Sequence, residues 1–350
     1  MNICSKVQRK GSTQNPLTLF SIPNPKSQIQ PHHKISKIET MAANQGSYPN
    51  PIHPTRTRIG WIGTGVMGAA MAGRILSAGY SLTIYARTPS KAFSLLSSGA
   101  SLASSPASVA SLSDVIFSMV GHPHDVRSVL LDPVSGAISS LSPGSVLIDC
   151  TSSHPALARE VADAAREKNC FAIDAPVSGG DVGARDGTLA ILAGGEEEVI
   201  QWLSPLFDLL GKATWMGPPG SGQSSKIANQ IAVAGSVVGT TEGILFARKM
   251  GLDVSAFLKA IGSGAAGSKV MEIFGERIFK RDFAPGGFVE YMVKDLGMAL
   301  ETRDRDSESA VVLPGAAQFR QMFTGMVANG DGKMGMQGLI TVHERINGVE

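Results

Sequence analysis

Cysteine is scarce in this sequence. Its 350 residues hold three, Cys4, Cys150 and Cys170, with no CxxC pair and no even set that could close a disulfide framework. That argues against a disulfide-stapled fold and a cysteine-built zinc site, and a reducing compartment is the simpler expectation. The seven histidines, His122, His124 and His154 among them, show no pairing with carboxylates at metal-ligand spacing, so no metal is expected. A large excess of one charge is also missing. Residues 1–55 carry Lys6, Arg9, Lys10, Lys26, Lys34 and Lys37 against one acid, Glu39. Removing these from 31 basic and 29 acidic residues leaves 25 against 28. A body that is slightly acidic is poorly suited to nucleic acid. No uninterrupted apolar run approaches the roughly 20 residues that span a bilayer. Neither nucleic acid nor membrane is therefore an expected partner. Aromatics make up only 6%, against 40 glycines, which favours tight turns and close backbone approaches over a large aromatic core.

What is present falls into three textures. The first 57 residues read as an extension without a core of its own, rich in Ser, Gln, Asn and Pro. Scattered bases and few acids suit a mitochondrial targeting segment. Prolines such as Pro16, Pro23 and Pro25, and the lack of any arginine but Arg9 before Arg56, fit instead a disordered tail on a cytoplasmic protein, or a true start at Met41.

From Arg58 the pattern changes. Short apolar runs at 58–63, 81–86, 114–120, 145–149, 170–174 and 189–193 read as strands. Helical stretches at 67–78, 91–98, 155–168 and 196–210 lie between or after them. This alternation predicts a parallel sheet covered by helices on both faces. A Pro/Gly-rich connector at 217–222 ends it, and Ile227, Ile231, Ala234, Val238 and Leu245 then recur at helical spacing over about 223–250. Five more helices are expected, at 254–261, 268–280, 291–303, 315–329 and 336–347. The expected fold class is α/β. A Rossmann-type dinucleotide-binding domain occupies 58–220, followed by an all-α substrate and oligomerisation domain over 221–350 that begins with a long inter-domain helix.

The sequence Gly63-Thr64-Gly65-Val66-Met67-Gly68 matches GxGxxG after a strand and at the opening of a helix. There Gly63 permits the tight turn, Gly65 lets backbone approach a pyrophosphate, and Gly68 allows the helix to pack on the strand. Val66 and Met67 start the helix, whose free N–H groups and positive dipole end suit a phosphate. The end of the next strand bears on which cofactor binds. NAD sites usually carry an acid about 20 residues after the glycines, bonded to the adenosine ribose. Here the chain reads Ala86-Arg87-Thr88, with no acid. An arginine and a hydroxyl suit the extra phosphate of NADP, which is favoured over NAD.

With these pieces in order, the sequence resembles the β-hydroxyacid dehydrogenases. That family includes plant 3-hydroxyisobutyrate dehydrogenase-like proteins and glyoxylate/succinic semialdehyde reductases. After the glycine fingerprint, the resemblance rests on DCTSSHP from Asp149, DAPVSGG from Asp174, GARDGTL from Gly183, GSGQSSKIAN from Gly220 and KDLGMA from Lys294. It implies hydride transfer between a nicotinamide and a small hydroxy-carboxylate or its carbonyl partner, in a homodimer or homotetramer. It also implies Lys226 as general acid/base. Read from the residues, Lys226 lies in the first turn of the long helix, where the dipole and low solvation would lower its pKa. Ser178, Gly179 and Gly180 lack bulk and can present N–H groups to an anion; the resemblance assigns them to the substrate carboxylate. Asn229 can orient the substrate. Gln230 stands where many members have Asn, so that role is shared between the two. Ser152 is implied on the nicotinamide side of the cofactor, or else caps the helix at Pro155. Lys294 resembles the family's cofactor-contacting lysine, with Asp295 as a structural partner. The expected substrate is a 3-hydroxyisobutyrate-like acid. Glyoxylate or succinic semialdehyde is the alternative within enzymes, and a non-catalytic NADP-binding scaffold or sensor the alternative outside them. Methylene-sized differences between such substrates are worth only about 1–3 kcal/mol.

Overall fold

Side-chain alternation in the central strands sets the layering. In the computed structural model, which describes residues 50–301 and 311–349, nine strands form one sheet. They are β1 (Arg58–Ile62), β2 (Ser81–Tyr85), β3 (Ser101–Leu102), β4 (Val115–Ser118), β5 (Val146–Asp149), β6 (Phe171–Asp174), β7 (Val177–Ser178), β8 (Leu189–Gly194) and β9 (Gly211–Gly217). Ile59, Trp61, Val115, Phe117, Val146 and Ile148 enter one apolar core, while Ile62, Ile116, Leu147 and Ala172 enter the core on the opposite face. Strands that are apolar on both faces need helices on both faces, which is the parallel-sheet solution. Trp61 stacks on Phe117 at 5.0 Å across the β1–β4 pair.

Strands β3-β2-β1-β4-β5-β6 are parallel in that spatial order. The sheet then departs from the expected all-parallel form. β8 runs against β6 and β7, because the chain turns back through β7 and the short helix Gly180–Asp186. β9 adds on parallel to β8, an edge strand over residues 211–217 that the sequence reading did not include. The helix predicted over 196–210 is two, Glu197–Trp202 and Ser204–Leu210. Pro205 lacks the N–H needed to continue the first. Helices Pro106–Ser111 and Pro123–Leu131 have no counterpart in the sequence reading; each opens on proline, a residue read too easily as a breaker. Residues 336–347 form a 3-10 turn, Met336–Leu339, and then the helix Ile340–Ile346.

The targeting or tail reading of residues 1–49 lies outside the described residues. Residues 50–57, grouped with that extension above, sit on the folded body. Ile52 packs against the core, Thr57 is buried, and the Trp202 indole N–H donates to the Asn50 carbonyl at 2.9 Å.

The long helix Ser221–Lys249 begins two residues before its predicted start and has 29 residues, about 43 Å at 1.5 Å each. Its Ala234, Val237 and Val238 join Val289, Met292, Leu296 and Phe323 in the core of the helical part. Length and composition would suffice to cross a bilayer, but much of the helix is buried within its own chain. At its far end Arg248 pairs with the buried Glu344 at 3.0 Å, and Arg281 meets the same carboxylate at 2.7 Å.

Candidate active site

The glycine turn is built by close approach. Gly63 sits at φ +98°, its N–H donates to the Tyr85 carbonyl at 3.0 Å, and a Cβ there would meet the Met119 carbonyl oxygen at 2.2 Å. A Cβ on Gly68 would lie 2.1 Å from the Gly63 carbonyl oxygen. The Trp61 indole N–H holds that same carbonyl at 2.9 Å. Gly65 differs: its φ of −68° suits any residue, and a Cβ would find nothing within 4 Å. Open space therefore faces the start of the helix Val66–Ser77, which has no side-chain cap and no acid in its first turn. Val66 is exposed at this mouth, while Met67 packs on the core. Beyond β2, Arg87 and Thr88 are exposed, and Arg87 Nη1–H donates to Asp125 Oδ1 at 2.9 Å.

Strands β5 and β6 end in register at Asp149 and Asp174, and these two buried carboxylates organise the joint with the long helix. Asp174 accepts from the Gly220 N–H at 2.7 Å and the Gln223 N–H at 2.8 Å. Burial nevertheless pushes its carboxyl up to about 7. Asp149 accepts from the Ser118 hydroxyl at 2.8 Å and the Thr151 N–H at 3.1 Å, and burial raises it to about 6. Gln223 is fully buried. It donates to the Thr151 carbonyl at 2.7 Å and accepts from the Ser153 N–H at 2.8 Å. The glycines here are close-packed: a Cβ on Gly222 would lie 2.4 Å from the Asp174 and Leu192 carbonyl oxygens.

Lys226 follows one turn later, buried at 8% exposure. Its ammonium is pushed down to about 8, first by burial; Asp295 works against that and Lys294 with it. The helix starts at Ser221, so Lys226 lies in the second turn rather than the first. The dipole fades over that distance, which leaves burial as the main cause.

A chain of polar contacts starts at Asn229, one turn further along the helix. The Asn229 amide donates to Gln230 Oε1 at 3.1 Å, and the Gln230 amide donates to Asp295 Oδ2 at 2.7 Å. Lys294 Nζ lies 3.1 Å from Asp295 Oδ1 and donates to the Ser152 carbonyl at 2.6 Å. Ser178 Oγ reaches Asn229 at 3.5 Å. Gln230 thus links Asn229 to Asp295, while the Asn229 oxygen faces Ser178. Ser152 does not cap the helix Pro155–Glu167, because His154 occupies that position. Gly179 and Gly180 have positive φ, +135° and +65°, and a Cβ on Gly180 would meet nothing within 4 Å, so that backbone is open. The sequence reading brought together Lys226, Asn229, Ser178 and Lys294 but assigned no role to Asp149, Asp174, Thr151 or Gln223. All four sit inside the quoted motifs; their pairing crosses up to 72 residues and has no local signal.

Comparison with known proteins now decides the family. Residues 58–217 match the family described as the NAD binding domain of 6-phosphogluconate dehydrogenase. Residues 220–343 match the one described as NAD-binding of NADP-dependent 3-hydroxyisobutyrate dehydrogenase. Over 302 residues the chain is 55% identical to an Arabidopsis thaliana protein named probable 3-hydroxyisobutyrate dehydrogenase-like 3, mitochondrial, covering 86% of this chain and 92% of that one. The chain belongs to the 3-hydroxyisobutyrate dehydrogenase family. It is also 37% identical over 288 residues to the Escherichia coli 2-hydroxy-3-oxopropionate reductase, covering 82% of this chain and 97% of the relative. A solved 3-hydroxyisobutyrate dehydrogenase from Salmonella typhimurium superposes with a TM-score of 0.73 at 28% identity, over 82% of this chain and 99% of the other. As a member of this family the chain is an NAD(P)-dependent dehydrogenase acting on a CH–OH group. The residues present fit that cofactor: the open face at Gly65 and the uncapped, acid-free start of the following helix would offer N–H groups to a pyrophosphate.

Proposed function

We propose that the chain interconverts a small, 3-hydroxyisobutyrate-like 3-hydroxy acid and its semialdehyde, with NADP favoured over NAD and Lys226 as general acid/base. The observation that carries this reading is Lys226 itself, a buried lysine lowered to about 8 and seated one turn past a rigid joint. The bound nicotinamide supplies or accepts the hydride. In the reducing direction the Lys226 ammonium holds the proton given to the carbonyl oxygen; in reverse its neutral amine takes the proton from the hydroxyl. Ser178, Gly179 and Gly180 receive the carboxylate, with open space beside Gly180, and Asn229, across from Ser178, orients the substrate. Gln230 steadies Asp295 instead of binding substrate. Lys294, held by Asp295 and the Ser152 carbonyl, closes the nicotinamide side. Arg87 and Thr88 receive the adenosine 2′-phosphate.

The same constellation would serve a reductase of glyoxylate or succinic semialdehyde, since each has one carboxylate and one reducible carbon. We further propose that the division lies near residue 220, that the protein is a homodimer or homotetramer, and that the N-terminal extension directs it to mitochondria. The last accords with the Arabidopsis relative named mitochondrial. The deciding experiment follows NADPH and NADH absorbance with the purified protein and a panel of these carbonyl acids, beside Lys226→Ala. Turnover of one acid, lost in the variant, supports the reading. Undiminished turnover in the variant refutes the role of Lys226, and tight cofactor binding without any turnover favours a non-catalytic protein.

A further inference from the structure

We propose that Asp125 limits how strongly this chain prefers NADP over NAD, by competing with the cofactor's 2′-phosphate for Arg87. The inference rests on the reading of Arg87 as the phosphate contact. It starts from an acid that the sequence lacks at the end of β2 and that the fold supplies from elsewhere.

Arg87 follows β2, and Asp125 is the third residue of the helix Pro123–Leu131, which follows β4. In the sheet, β1 lies between β2 and β4, and β1 ends in the glycine turn. The 2.9 Å ion pair therefore joins the two elements that flank the dinucleotide turn. The partners are unequally held. Asp125 is largely buried, 13% exposed, and its second oxygen accepts from the His122 N–H at 3.2 Å, so its carboxylate is fixed. Arg87 is 83% exposed and free to swing. His124 Nε2 lies 3.6 Å from the oxygen that Arg87 holds.

The consequence follows from charge. A 2′-phosphate arriving at Arg87 meets a guanidinium already half-satisfied and a fixed carboxylate that repels it. A 2′-hydroxyl suffers no such repulsion and can donate to an acid, the role usually filled by the strand-end residue missing here. The chain should accordingly use both dinucleotides, with a modest preference for the phosphorylated one.

The test is a set of cofactor titrations. Dissociation constants for NADPH and NADH are measured on the full chain as wild type, Asp125→Asn, Arg87→Ala and the double variant, at low and high salt. Asparagine keeps the size of Asp125 and an oxygen for the His122 N–H, and a thermal melt checks that the fold is retained. Asp125→Asn should raise the NADPH-over-NADH affinity ratio about two- to fivefold at low salt, the range expected for an exposed ion pair, and less at high salt. In the Arg87→Ala background the effect should shrink, because the competition for the guanidinium is gone and only the direct repulsion of the phosphate remains. If Arg87→Ala selectively weakens NADPH while Asp125→Asn leaves the ratio unchanged or lowers it, the competition is refuted and Arg87 keeps its role. If Arg87→Ala leaves NADPH affinity intact, both readings fall.

Discussion

Consider Lys226→Met, which removes the buried amine and keeps an unbranched side chain of similar length. Lowering the lysine from 10.5 to about 8 means that the fold disfavours its charged form by about 3 kcal/mol. Between pH 8 and 10.5 an unfolded lysine is protonated while the buried one is neutral. The unfolded state then holds more protons, so stability rises with pH across this window. Below pH 8 both states are charged and the full cost remains; above 10.5 it vanishes. Methionine carries no such cost. Lys226→Met should therefore melt several degrees above wild type at pH 7, at roughly 2–4 °C per kcal/mol in large domains. The gap should close towards pH 10.5. Activity should fall by about 10²–10⁴-fold, the range for a lost general acid. Wild-type carbonyl reduction should decline as pH rises through about 8, and hydroxy-acid oxidation should increase over the same range. Paired thermal melts and steady-state rates from pH 6 to 10.5 check all of this. A variant that melts below wild type at pH 7, or a gap that ignores pH, would refute the burial argument.

Two glycines of the same turn should respond differently to alanine. Gly68→Ala places a Cβ 2.1 Å from the Gly63 carbonyl oxygen and should cost about 1–3 kcal/mol of stability, read by thermal melt. Gly65→Ala meets no protein atom, so it should melt like wild type yet weaken cofactor binding on the order of tenfold in a fluorescence titration. At the joint, Asp174→Ala leaves the N–H groups of Gly220 and Gln223 without their acceptor, and urea unfolding should show a loss of about 2–4 kcal/mol. Gln223→Leu frees the Thr151 carbonyl and the Ser153 N–H; single-turnover hydride transfer should slow more than tenfold, in line with the about 10²-fold that a 1 Å misplacement can cost.

Much of the architecture was legible because it is written in local periods. The β1 strand, the glycine turn, the second strand and the long helix each carry a pattern within a short window, and the family match agrees with the fold they imply. Departures come where a tertiary contact overrides the local signal. β9 has little apolar alternation and exists because β8 offers it an edge. The break at Leu203 comes from a single proline within an otherwise helical run. At the candidate site, low solvation was legible as a cause of the lowered Lys226 pKa, but the opposing influences of Asp295 and Lys294 were not, because they come from a helix far along the chain. Gln230 is a similar case. Its extra methylene could be read as altered reach, but only the fold shows that the reach ends on Asp295, 65 residues away.

The packed glycines at the base of the long helix bear on how the molecule can breathe. With no room for a Cβ between Gly222 and two carbonyl oxygens, and Gln223 bonded on both sides, that point is a poor pivot. By composition the long helix belongs to the helical half, yet its first turns, and Lys226 with them, are fixed in the frame of the sheet. Lys294 and Asp295 stand on a separate helix, Val289–Glu301, packed against the middle of the long one. A motion that admits a dinucleotide or releases a product therefore has to take place elsewhere than at this joint. Substitutions on the helix Val289–Glu301 leave the contacts that fix the base of the long helix, and Lys226 one turn later, untouched.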